Sequence, residues 1–341
     1  MTAPDVFDDA LAKLARKESL GEHEMTQVME RLVTGQASDE RIEKFLLLLR
    51  EKHETAGEIL AAARVMRSHA IKTSRARSAL LDTCGTGGDG RHTLNVSTLS
   101  ALVCAAAGAR VAKHGNRSVS SLCGSADILE MLGLQIELSL ERLEACLDET
   151  GFAFFFAPKF HPATRYAMPA RKKIQGKTIF NVLGPLANPA GVDYQLLGVY
   201  EERLVLVLAR ALADLGVKKA LVVYGMDGVD EISISDKTLC AEVSRGKISD
   251  LTITPEEMGL QRSRLENYQA TSKDSSRELA CKTLAGEPGP AQDLICLNAG
   301  AALYTAEKVK SVKEGVGMAR QVIKSGAAIA KLEELVKFTN G

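Results

Sequence analysis

Four glycines fall within six residues in the stretch Asp82-Thr83-Cys84-Gly85-Thr86-Gly87-Gly88-Asp89-Gly90. The apolar run Ala79-Leu80-Leu81 precedes it and reads as a buried strand; a helix-forming stretch, residues 97–108, follows. Glycine lets a backbone turn sharply and brings successive N–H groups close to a ligand. A helix starting just beyond adds the positive end of its dipole. Strand, glycine loop and helix in that order predict a phosphate site.

Gly85, Gly87 and Gly90 formally satisfy the dinucleotide pattern, which wants an acidic residue about 20 positions on to hold a ribose hydroxyl. The next strand, residues 110–112, instead runs into Lys113-His114-Gly115-Asn116-Arg117. Cations at a strand end suit further phosphate. The glycines are not followed by the Lys-Ser or Lys-Thr pair of a Walker loop. Asn95-Val96-Ser97-Thr98 places an amide and two hydroxyls at the helix start, and Cys123-Gly124-Ser125-Ala126-Asp127 forms a second small-residue turn. Further on lie Phe180-Asn181-Val182-Leu183-Gly184-Pro185-Leu186, Asn188-Pro189 and Gly228-Val229-Asp230-Glu231.

The 341 residues, 45% apolar and 25% charged, are enough for a sizeable core and two domains. Zero formal net charge argues against broad nucleic-acid or membrane-surface binding. Seven cysteines without a C-x-x-C pair fit reduced thiols in a cytoplasmic protein. The first 20 residues are acidic and amphipathic, unlike a signal peptide. No run approaches the roughly 18 apolar residues of a spanning helix.

Residues 5 to about 70 read as four short helices, the third capped by Ser38 and the fourth opened by a Thr55/Glu58 capping box. A unit this small needs a neighbour to cover it, so it is expected to pack on the larger domain and on a partner subunit. The arginine-rich stretch at 64–77 reads as a solvated helix end and linker. From residue 79 strands and helices alternate. Strands are predicted at 80–83, 110–112, 153–156, 196–200, 220–224 and 231–234. Helices are predicted at 97–108, 126–132, 140–149, 203–215, 276–284, 291–305 and 316–323. Residues 161–173 and the Pro- and Gly-rich 183–191 interrupt the alternation. The expected fold class is α/β: a small helical domain plus a large α/β domain with a central, largely parallel sheet flanked by helices.

In order along the chain, the GTGGDG loop, NVST, KHGNR, FNVLGPLANP and the Asp230-Glu231 pair resemble the anthranilate phosphoribosyltransferase family, over about residues 11–331. The resemblance implies that residues 1–72, joined by about 161–190, form a small helical domain for dimerisation and the cleft, with 78–160 and 191–341 as the large domain. It implies displacement of pyrophosphate from C1 of phosphoribosyl pyrophosphate (PRPP) by the amine of anthranilate, with Mg²⁺, in a homodimer, with neither nucleic acid nor membrane as partner. The implied PRPP set is Gly85, Gly88, Asp89, Thr93, Asn95, Val96, Ser97, Thr98, Lys113, His114, Gly115, Asn116, Arg117, Ser118, Val119, Ser120, Ser121 and Ser125. For anthranilate it implies Gly85, Asn116 and Arg171, with Lys172, Lys173 and Lys177 competing for the carboxylate, and His114, His161 and Pro185 near the ring. For the metal it implies Ser97, Asp230 and Glu231. An arylamine already offers a lone pair near neutrality, so no catalytic acid or base is expected. Two departures stand out: Lys177 where the family commonly has arginine, and the bulky, basic Arg91-His92 in the glycine loop.

Overall fold

The computed structural model describes residues 5–74, 76–91, 93–118, 122–174 and 176–341. Four helices open it: α1 (Val6–Ala15), α2 (Glu22–Val33), α3 (Asp39–Lys52) and α4 (Ala56–Ser68). The Ser38 cap and the Thr55/Glu58 box are both formed. Glu58 is fully buried because its second oxygen also has work: Oε1 accepts from the Leu20 amide at 2.9 Å, while Oε2 takes the Lys52 ammonium at 2.8 Å.

The alternating part follows as β1 (Leu80–Gly85), α5 (Val96–Ala106), β2 (Arg110–Gly115), α6 (Ser125–Met131), α7 (Leu140–Thr150) and β3 (Phe152–Phe156). The chain then makes its excursion: α8 (Ala157–Phe160), a 3-10 turn (Pro162–Ala167), α9 (Met168–Lys173) and α10 (Ile179–Leu186). The 3-10 turn, α9 and α10 pack on α2, α3 and α4, while α8 stays against β3. It returns as β4 (Tyr194–Gly198), α11 (Leu204–Asp214), β5 (Lys219–Gly225), β6 (Thr238–Ser244) and β7 (Lys247–Ile253). Helices α12 (Lys273–Leu284), α13 (Pro290–Thr305), α14 (Val312–Lys324) and α15 (Ala327–Asn340) close the chain.

The seven strands form one sheet in the order β3-β2-β1-β4-β5-β6-β7, parallel through β5 and antiparallel beyond. Side chains alternate between its faces, as a period of two requires. On β5, Leu221 and Val223 join the core under α5 and α13, while Ala220 and Val222 join the core shared with α4, α10 and α11. Both faces are therefore covered, which is why the inner strands read as continuous apolar runs.

One expectation fails locally. Residues 231–234 form no strand: Ile232 and Ser233 give their backbone amides to Asn298 and Thr238 side chains instead of a ladder. The hairpin β6–β7 at the sheet edge was not foreseen, and neither was α15, whose apolar stripe is masked by charges. β7 is exposed on both faces along most of its length, with only Ile253 buried, so its sequence lacks the buried-strand signature.

Candidate active site at the reversal of strand order

After β1 the chain builds outward to β2 and β3, then returns to place β4 and β5 on the other side of β1. Ligands of open α/β sheets bind outside the strand ends at such a reversal. Here Gly85 of β1 lies in register with Gly198 of β4. The loop after β5 crosses over this pair and sets Asp230 on it. A methyl group on Gly198 would come within 1.6 Å of the Asp230 carbonyl oxygen, and one on Gly85 within 2.5 Å of its Oδ2. Only hydrogen fits at either position. The Gly87 amide donates to Asp230 Oδ2 at 2.7 Å, so the glycine loop grips the acid directly. The loop's base is fixed by Thr86, whose amide donates to Gly198 O at 2.9 Å and whose Oγ1 accepts from the Tyr200 amide at 3.1 Å. Its far limb is held by Gln269, which donates to Arg91 O at 2.7 Å and bridges Thr93.

Negative charge accumulates at this point. Burial and the neighbouring Asp89 raise the Asp230 carboxyl to about 7. Burial and Asp230 push Glu231 well above the usual carboxylate range, with Lys113 and the Ser97 amide working against the shift. Asp89 Oδ2 is buried and lacks a hydrogen-bond partner. Carboxylates held this close call for a cation. Among the described residues no three His, Cys, Asp or Glu side chains converge to hold a metal unaided. That donor set fits Mg²⁺, which keeps waters and shares ligand phosphates, better than a metal needing a full protein cage. Asp230, Glu231 and Ser97 are the residues that would hold it.

Next to the acids stands the start of α5. Lys113 is fully buried beneath it, its Nζ donating to Thr83 O at 2.6 Å and to Ser97 Oγ at 3.3 Å. The ammonium expected to face phosphate thus acts through Ser97, and opposes the charge of Glu231 and Asp82. Asn95 caps nothing with its side chain; it ties α5 to the second turn through Cys123 O and accepts from Ser276. Asp127 Oδ2 accepts from the Ser118 and Gly124 amides at 3.0 and 2.8 Å, folding residues 116–118 back over Gly124, with Gly115 against Ser125. Arg117 turns outward, bound to Glu130 and lying over the Phe156 ring. Val119, Ser120 and Ser121 lie outside the described residues.

The facing wall comes from the excursion. Of its four candidate cations, Lys172 and Lys173 are exposed. Arg171 is half-buried, with its guanidinium 5.1 Å from the Phe180 ring centre, and desolvation lowers its pKa. Lys177 is also turned inward: its Nζ lies 3.6 Å from the Tyr200 ring centre, and burial lowers it too. His114 and His161 meet with ring centres 5.1 Å apart. His114 Nδ1 lies 3.0 Å from Gly184 O, which fixes the proton there and leaves Nε2 a partnerless acceptor. Burial holds the two imidazoles neutral, at about 3 for His114 and about 4 for His161. Pro185, on α10 beside them, has its carbonyl oxygen held by Gln195 at 2.7 Å.

Of the sequence-predicted residues, Gly85, Asp89, Ser97, Lys113, Asp230 and Glu231 meet at the strand ends; Arg117, Lys172 and Lys173 face outward, and Val119, Ser120 and Ser121 lie outside the described residues. Sequence reading missed Gly198, Tyr200 and the buried Asp82, which accepts from the His114 amide and from Asn188 Nδ2 at 3.1 and 2.9 Å. A glycine ending the run Gln195-Leu196-Leu197-Gly198 was the available signal for the first.

A helical bundle and a parallel sheet meeting over this pocket of charges define a class of transferase. Residues 8–70 match the helical bundle domain of the glycosyl transferase family, and residues 77–329 match its a/b domain. The chain is 46% identical over 335 residues to the anthranilate phosphoribosyltransferase of Petrotoga mobilis, spanning 98% of this chain and 97% of that one. It is 48% identical over 330 residues to the enzyme of the same name from Alkalilimnicola ehrlichii, at 97% and 98% coverage. The anthranilate phosphoribosyltransferase from Thermus thermophilus superposes with a TM-score of 0.91 at 44% identity, over 98% of this chain and 100% of that one. The Saccharomyces cerevisiae enzyme in complex with PRPP and Mg superposes at 0.89 with 25% identity, covering 99% of both chains. The chain belongs to the anthranilate phosphoribosyltransferase family.

Proposed function

We propose that this chain transfers the phosphoribosyl group of PRPP to the amine of anthranilate, releasing pyrophosphate, with Mg²⁺. The observation that carries the reading is Asp230 seated on Gly85 and Gly198 and gripped by the Gly87 amide, which joins the phosphate loop to the acid pair. In the reaction the C1–O bond to pyrophosphate breaks, the ribosyl carbon becomes cationic, and the amine lone pair closes the new C1–N bond. The amine then sheds a proton to solvent or to the departing pyrophosphate.

Help from the protein lies mainly in positioning and in stabilising the leaving group. Amides of the glycine loop, the start of α5 with Ser97 and Thr98, and the 113–118 arm with Ser125 form the PRPP site, Lys113 acting through Ser97; Val119 to Ser121 are assigned with them. Bound Mg²⁺ would neutralise charge on the leaving pyrophosphate. Arg171 takes the anthranilate carboxylate as a planar fork. Gly85 and Asn116 adjoin the same ring, and His114, His161 and Pro185 flank it. None of these groups needs to remove a proton before attack, which agrees with imidazoles that stay neutral.

The small domain is taken as residues 1–72 with about 161–190, supported by the packing of α9 and α10 on α3 and α4. The large domain is 78–160 and 191–341. A homodimer through the small domain is proposed, to be checked by light scattering for twice the 36.6 kDa chain mass. Placement in the cytoplasm agrees with seven free cysteines, and no helix among the described residues is long and apolar enough to cross a membrane. The deciding experiment follows anthranilate fluorescence with PRPP and Mg²⁺. Depletion that requires all three components supports the reading; persistent fluorescence with folded protein overturns it.

A further inference from the structure

Lys177 is a charged group that the proposed function has not used. It lies between α9 and α10, where Arg50 of the helical unit reaches its carbonyl oxygen at 3.5 Å. From there the side chain crosses to the sheet. A methyl group on Gly88 would meet Lys177 Cε at 3.2 Å, so the stem rests against the glycine loop. The ammonium sits on the face of Tyr200, whose own amide is bonded to Thr86 of the same loop. It feels Glu201, Asp230 and Asp89, yet among the described residues it forms no ion pair.

A partly desolvated ammonium near three carboxylates, paired with none, is stabilised only weakly. A divalent cation arriving on Asp230 and Glu231 would repel it further. Only an anion lying between the two cations turns that repulsion into attraction. Arg171, six residues earlier on the same excursion, is likewise inward and without an ion pair. The two substrates carry a carboxylate, a diphosphate and a 5-phosphate, and the excursion turns two cations, Arg171 and Lys177, inward. Resting on the function proposed above, we infer that Lys177 caps the diphosphate of PRPP from the side opposite the acid pair, with Tyr200 and Gly88 aiming it.

The test titrates Mg²⁺-PRPP and, separately, Mg²⁺-pyrophosphate and ribose 5-phosphate into the full-length protein by calorimetry, without anthranilate or turnover. Lys177→Met keeps the stem and its contact with the Tyr200 ring but loses the charge; Lys177→Arg restores a cation. Loss of one charge-assisted contact predicts that Lys177→Met weakens PRPP and pyrophosphate by about ten- to a hundredfold. Ribose 5-phosphate should bind as before, Lys177→Arg should recover most of the loss, and melting temperatures should match. Wild-type-like PRPP binding by Lys177→Met overturns the inference, as does equal weakness in the arginine variant, which would mean shape and not charge. Weakening confined to ribose 5-phosphate overturns the choice of the diphosphate end. If the wild-type chain itself binds no Mg²⁺-PRPP, the proposed function falls with it.

Discussion

The two walls of the crevice are built on opposite plans. The sheet wall is tight and its framework is satisfied: glycines at 85 and 198 admit Asp230 to close contact, and Lys113, Asp82 and Asn188 spend their polar atoms on protein partners. Only the acids Asp89, Asp230 and Glu231 are left short of positive charge. The excursion wall holds polar groups whose desolvation is not repaid within the chain: Arg171, Lys177 and both ring nitrogens of His161, which meets the equally partnerless Nε2 side of His114 on β2. One wall fixes geometry through backbone; the other waits for ligand charge. Damage to the first should lower turnover, and damage to the second should weaken the binding of one substrate at a time.

The largest effect is expected from Asp230→Asn with Glu231→Gln. Removing both charges should lower kcat/KM by about a thousandfold, several kcal/mol of transition-state stabilisation, and flatten the response to Mg²⁺ concentration. A metal titration that keeps its wild-type shape would remove these acids from the site. Gly198→Ala comes next. Its methyl group cannot coexist with a carbonyl oxygen 1.6 Å away, so the acid loop must shift by more than an ångström. Misplacement of that size costs on the order of a hundredfold in rate. Wild-type turnover in a variant of unchanged melting temperature would show that the sheet wall is not the rigid partner described.

The same contrast decides what the sequence disclosed. The glycine loop, the α5 start and the acid pair are local patterns in which backbone need and chemistry coincide, so strand, loop and helix could be read together. The covering of the sheet was legible too, because inner strands buried on both faces leave apolar stretches at 79–81, 111–112 and 220–224. The facing wall was less so. Arg171 stood in a basic run with Lys172, Lys173 and Lys177, and only packing against Phe180 and Tyr200 separates the inward pair from the exposed one. Gly198 was invisible as a contact site because its neighbour, Asp230, lies 32 residues further on. The hairpin β6–β7 was missed because an edge strand mostly in water carries no apolar run.

On the second wall, Arg171→Ala should raise KM for anthranilate by about ten- to a hundredfold, one charge-assisted pair, and leave KM for PRPP within about twofold. Arg171→Lys should recover little, because a point charge does not match a planar carboxylate as a fork does. Equal loss for both substrates would mean that Arg171 holds the wall together and does not select a ligand.

The smallest effect on catalysis, and the sharpest test of the second wall, concerns the histidines. Their folded values, about 3 and about 4, lie below the ordinary histidine value of 6.5, because burial penalises the charged ring. A depressed folded value means the unfolded chain takes up protons first on acidification. The pair therefore contributes its full stability above about pH 6.5 and loses it progressively as pH falls toward 4 and below. Urea unfolding should show stability declining through this window by an amount on the order of a few kcal/mol, and His161→Gln should remove part of that slope. Because both rings stay neutral from pH 5 to 8, kcat/KM for anthranilate should show no inflection near 6.5 that His161→Gln abolishes. An inflection of that kind would mean that the imidazoles charge in the working enzyme, and that the wall facing anthranilate is wetter than its burial implies.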